Sequence, residues 1–123
     1  MEYLYSFEKL DVWKDARAYV KKIYEITALF PDKEKFGLSS QLQRAAISVP
    51  SNIAEGLSRH SDKEQIRFIE IAYGSLMETY CQLCIALDLC YIKVELMNEI
   101  KIEIDKIANK LNALNRAIKK RLT

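Results

Sequence analysis

The chain is poor in residues that break helices, with 3 glycines and 2 prolines among 123 residues. So few turning points exclude a fold of many short strands and favour a few long helices. Histidine is scarcer still, His60 standing alone. A bundle di-iron centre needs Glu-x-x-His pairs on facing helices, so Glu70 and Glu78 do not make one. Cys81, Cys84 and Cys90 are an odd set in or just beyond one predicted helix. They exclude a disulfide framework and read as reduced core thiols, because a closed zinc site takes four ligands. Nor is one sign of charge in excess: 19 basic against 17 acidic side chains leave +2. Affinity for nucleic acid must then come from a local patch and not from a global field. No apolar run approaches the ~20 residues that span a bilayer, and Met1-Glu2-Tyr3 lacks the basic start of a secretory leader. No membrane partner is expected, and the cytosol is the expected compartment. No phosphate-cradling glycine loop, nucleophile elbow or Ser/His/Asp set is visible. The chain therefore reads as noncatalytic, with no catalytic residue, metal ligand or cofactor assigned.

What the sequence does contain is helical periodicity, and its length suits one domain, residues 1–123. The first helix is predicted over residues 10–29, with Val12, Ala16, Val20, Ile23, Thr27 and Phe30 inward and Trp13, Tyr19 and Tyr24 widening the apolar face. It stops at Phe30-Pro31, since the residue before proline disfavours helix. Residues 32–38 connect, with Gly37 as the flexible point. The second helix is expected to start from Ser39 or Ser40 as N-cap and end near Gly56. Its inward set is Leu42, Ala45, Ala46, Val49, Ile53 and Leu57. Pro50 lies in its middle, where a proline costs ~3 kcal/mol or more, so neighbouring elements must enclose it. Ser61-Asp62-Lys63-Glu64 forms a capping box for the third helix, whose core set is Ile66, Ile69, Ala72, Tyr73, Leu76, Tyr80, Leu83 and Leu87. It ends near Cys90-Tyr91, and Gly74-Ser75 inside it suggests close approach of another backbone. In the fourth helix Met97, Ile100, Ile104, Ile107, Leu111, Leu114 and Ile118 alternate steps of three and four, a coiled-coil-like seam. Its acids come early and its bases late, as the helix dipole prefers. Short connections between such helices give an all-α, antiparallel up-down-up-down four-helix bundle.

Phe7-x-x-Leu10-x-Val12-Trp13, Gly37-Leu38-x-x-Gln41-Leu42-x-Arg44-Ala45-Ala46, Ser48-Val49-Pro50-x-Asn52-Ile53-Ala54-Glu55-Gly56 and Ala72-x-Gly74-Ser75-x-x-Glu78 together form a recognisable signature. On these residues the chain resembles the bacterial four-helix-bundle family first found as open reading frames in intervening sequences of 23S ribosomal RNA genes. The resemblance covers essentially the whole chain. It implies a bundle that assembles with itself into a ring, typically a pentamer. A related branch, the accessory variability determinants of diversity-generating retroelements, forms barrel-shaped pentamers that bind nucleic acid and a reverse transcriptase. Where many relatives read Arg-Arg before the alanine pair this chain has Gln43-Arg44, one charge fewer, which weakens the transfer of nucleic-acid binding.

Two groups of residues are candidates for function. Gln41, Arg44, Ser48, Asn52 and Glu55 line one side of the second helix, giving it a polar face opposite the apolar one. With Glu78 they form either a subunit-contact surface or an internal network, in which Ser48 and Asn52 satisfy carbonyls freed by Pro50 and Arg44 and Glu55 pair with neighbours such as Glu78 or Arg59. A small-molecule site is the lesser alternative. Separately, Lys14, Arg17 and Lys21 share a face of the first helix, and the up-down topology places Arg59, Lys119, Lys120 and Arg121 near the first two. These are the candidate contacts to RNA or to an RNA-associated protein, and a ring would multiply weak contacts. A purely structural or protein-interaction oligomer is the competing expectation.

Overall fold

The computed structural model describes residues 4–122 and contains four long helices, with no strand among the described residues. They are α1 (Asp11–Thr27), α2 (Leu38–Leu57), α3 (Asp62–Asp88) and α4 (Val94–Lys120), with short 3-10 turns at Ser6–Lys9 and Asp32–Glu34. Helices consecutive in the chain pack against one another and α1 closes against α4, which is the antiparallel up-down-up-down bundle. One end gathers the start of α1, the α2–α3 loop and the end of α4. The other gathers the α1–α2 and α3–α4 connections.

One apolar core runs through all four helices. The α4 seam is as the periodicity predicts, with Met97, Ile100, Ile104, Ile107, Leu111 and Ile118 buried and Leu114 packed at its edge. In α1 the core takes Tyr19 and Ile26 and leaves Tyr24 exposed. In α3 it takes Thr79, Gln82 and Ala86, while Tyr73, Tyr80 and Leu87 are only half-buried. Thr79 is admitted because it is bonded: its hydroxyl donates to the Leu76 carbonyl at 2.6 Å and meets the Tyr19 phenol at 2.8 Å, so Tyr19 is the donor across the bundle. Burial pushes the Tyr19 phenol well above its usual range.

The helix ends show which local signals prevailed. Ser61 caps α3 as expected, its hydroxyl accepting from the Glu64 amide at 3.3 Å. Glu64 itself turns to Arg67, 3.6 Å away. Helix α2 begins earlier than its serines suggest. Its N-cap is Gly37, and the Glu34 carboxylate accepts from the Leu38 amide at 3.2 Å and from the Tyr91 phenol at 2.7 Å. Ser39 is instead buried in the first turn. One side chain thus caps a helix and ties both connections at that end.

The close approach of α2 and α3 is at Gly56, not at Gly74. A Cβ on Gly56 would lie 2.9 Å from the Phe68 Cβ, whereas one on Gly74 would meet nothing within 4 Å. Gly56 therefore lies inside α2, which runs on to Leu57. Pro50 does not interrupt the helix, and it is half-buried rather than enclosed.

A candidate nucleic-acid interface

Helix α1 turns Val12, Ala16, Tyr19, Ile23 and Ile26 inward. Its period leaves Lys14, Arg17 and Lys21 in one exposed row at steps of three and four. Among the described residues none of the three has an ion-pair partner. Asp15, the acid closest to them in sequence, points to α4, where it is 2.6 Å from Lys110 and 3.8 Å from Lys106. The hydrogen bond that the Lys110 ammonium donates to Asp15 holds Lys110 above its ordinary value. Like charges three or four apart on a helix cost a few tenths of a kcal/mol, so this row does not serve the stability of α1. Beside it lie aromatic rings. The Arg17 guanidinium sits over Trp13, 5.4 Å from the ring centroid, and Phe7 meets Trp13 edge to face at 5.1 Å.

The other four predicted cations behave differently. Arg59 pairs with Glu55 at 3.3 Å and lies over the Phe68 ring. Lys119 reaches Glu70 at 3.8 Å, and Arg121 binds Asp62 at 3.2 Å and the Gln65 amide oxygen at 3.0 Å. Lys120 is exposed at the same terminus. The end of α4 thus forms ion pairs with acids of α3. Of the seven cations, Arg59, Lys119 and Arg121 are engaged by acids of α2 and α3, whereas the α1 row forms no ion pair among the described residues.

The polar stripe of α2 also divides. Ser48 and Ser75 hydroxyls meet at 2.7 Å, and the Asn52 amide donates to the Ser48 carbonyl and hydroxyl, both at 2.8 Å. These groups join α2 to α3. The carbonyl that Pro50 leaves unbonded by helix geometry is that of Ala46, so Asn52 serves a different one. Glu55 takes Arg59 as expected, but on the surface. Gln41 and Arg44 are exposed, and Arg44 has no partner among the described residues. Glu78, also exposed, accepts from Gln82 at 3.3 Å and not from Arg44.

Neither thiols nor histidine complete a site. Cys84 packs half-buried against the core, but Cys81 and Cys90 are exposed, so the expectation of core thiols is corrected for these two: Cys81 lies on the outer face of α3 and Cys90 beyond its end. His60 is exposed in the α2–α3 loop. Among the described residues, no group of three or more His, Cys, Asp or Glu is placed to hold a metal ion. Among the described residues, no helix is long and apolar enough to cross a membrane.

Sequence reasoning missed the groove between α1 and α2 that Phe7, Trp13, Val20, Ile47, Pro50 and Ala54 line, with Arg17 and Ser51 on its rim. Trp13 reads in sequence as one more apolar residue of α1. Its fourfold step to Arg17 is the available signal, since that spacing sets a cation over a ring.

Comparison with known proteins is consistent with this architecture. A solved protein of unknown function from the S23 ribosomal protein family of Bacteroides thetaiotaomicron superposes with a TM-score of 0.78 at 23% identity, covering 85% of this chain and 95% of that one. That likeness concerns the fold. No curated protein matches. Residues 8–113 match the family described as 23S rRNA-intervening sequence protein, and with that span the chain belongs to this family.

Proposed function

We propose that this protein is a noncatalytic, self-associating RNA-binding module of the cytosol. The observation that carries the reading is the row of Lys14, Arg17 and Lys21, which form no ion pair among the described residues and are flanked by aromatic rings. Phosphate attraction needs clustered cations free of internal partners, and these are the candidates that meet the requirement. Lys119, Lys120, Arg121 and Arg59 take a secondary part. The family's link to ribosomal RNA genes agrees with an RNA partner.

Self-association has its own support. The exposed residues Ile71, Gly74, Glu78, Cys81 and Ile85 follow steps of three and four along α3 beside Gln41 and Arg44. Gly74 leaves open space there, and small residues permit close helix approach. A ring built on this face, pentameric as in similar proteins, belongs to the proposal. So does kinship with the retroelement accessory proteins, which rests on the motifs alone.

The test is RNA retention against salt. Each phosphate neutralised on a single strand contributes about −0.7 to the slope of log K against log salt. Replacing Lys14, Arg17 and Lys21 together by alanine should flatten that slope by about two, with the helical circular dichroism unchanged. Absence of retention at low salt would leave the purely structural oligomer.

A further inference from the structure

We propose that the groove between α1 and α2 seats an unstacked base of single-stranded RNA, while the adjoining cation row holds the phosphates on either side of it. The proposal rests on the RNA-binding reading and narrows it to one class of strand.

The groove is an open depression of about 420 Å³ whose lining is apolar apart from Arg17 and Ser51. Ile47 remains 42% exposed there, so no side chain among the described residues closes the groove. A second, smaller depression on α1 is lined by Lys14, Arg17, Ala18 and Lys21. Arg17 lines both. Its guanidinium covers Trp13 on one side and belongs to the cation row on the other.

An occupant of matching chemistry carries a flat apolar body and anionic groups within a few ångströms of it. A nucleotide has both. Single-stranded RNA offers splayed bases that stack on aromatic rings and on arginine planes, whereas an A-form duplex keeps its bases stacked and presents chiefly phosphates and 2′-hydroxyls. A duplex would use the cations and have no use for the groove. The juxtaposition of cation row and apolar groove therefore selects the single strand.

Trp13 is the only tryptophan, so its fluorescence reports on the groove in the intact protein. Titration with a uridine-only single strand should quench Trp13 saturably, and a duplex of equal length should not. Trp13→Phe should retain single-strand binding and Trp13→Ala should lose about tenfold in affinity. Because Trp13 also packs on the core, Ile47→Gln at a partly exposed helix position supplies the second variant. It should lower the ratio of single-strand to duplex affinity several-fold. Equal affinity for both forms with a silent Trp13 would overturn the base seat while leaving the cation row as an RNA contact. Absence of binding to either would overturn both readings. A Trp13 signal that follows protein dilution would instead place a second copy in the groove, and one produced equally by polyglutamate would make the occupant an acidic peptide; either sinks the proposal.

Discussion

Cys90 occupies the left-handed region with φ of 62°, the one non-glycine to do so among the described residues. It follows the end of α3, where the Tyr91 amide reaches back to the Ala86 carbonyl at 2.9 Å and the Cys90 amide to Leu87 at 3.0 Å. That closure prefers glycine, and a side chain there costs ~1 kcal/mol. Cys90→Gly is expected to raise stability by about that amount, read from chemical denaturation. The neighbouring Tyr91 carries a pH signature. Its phenol, and then the Leu38 amide, lower the Glu34 carboxyl below its ordinary range, while the bond to Glu34 raises Tyr91 itself. A carboxyl lowered by folding stabilises above its unfolded pKa of about 4.3, and that contribution is lost as pH falls through the folded value. For the phenol the contribution holds below about 10 and is lost as pH rises through its raised value. Tyr91→Phe should therefore melt lower than the parent near neutral pH, with the difference shrinking in acid. A pH-independent difference would show that the bond does not act through Glu34.

At the level of elements, α4 is the simplest case. Ile107 is fully buried on a seam that α1 and α3 both use, and an unpaired carboxylate there has no polar partner. Ile107→Asp is expected to abolish the cooperative thermal transition of the protomer. Normal melting would mean that the seam faces elsewhere. Helix α2 is more complex, because its inward face mixes Leu42 and Ile53 with the smaller Ala45, Ala46, Val49 and Gly56. Small residues and Gly56 let α3 approach closely, and the Ser48–Ser75 and Asn52–Ser48 bonds then fit between the two helices. The helix continues through Pro50 because its contacts to α1 and α3 outweigh one missing backbone bond.

For the whole molecule, charge is distributed by pairing. Asp62, Glu70 and Glu55 occupy Arg121, Lys119 and Arg59, while Lys14, Arg17 and Lys21 on α1 form no ion pair among the described residues. Arg44 lies exposed on α2 and, in the proposed assembly, belongs to the subunit-contact surface. Its replacement by alanine is expected to lower the mass measured by light scattering while leaving RNA retention per protomer nearly unchanged. Unchanged mass with lost retention would move Arg44 from the assembly surface to the RNA surface.

The number of helices, their order, their antiparallel packing and the α4 seam were legible in the sequence, because apolar period and the spacing of proline and glycine act within one helix. Ser61 as a cap was legible for the same reason. Other features depended on which residues of separate helices meet. Thr79 entered the core because Tyr19 faces it, Glu34 displaced Ser39 as the cap of α2 because Tyr91 reaches it, and Gly56 rather than Gly74 marked the close approach because Phe68 lies opposite. The candidate site followed the same division. The sequence placed Lys14, Arg17 and Lys21 on one face. Only the packing of α2, α3 and α4 decided which cations found acids, and only the approach of α2 to α1 made a groove beside Trp13, since such distances are set by packing between helices and not by any period along one of them.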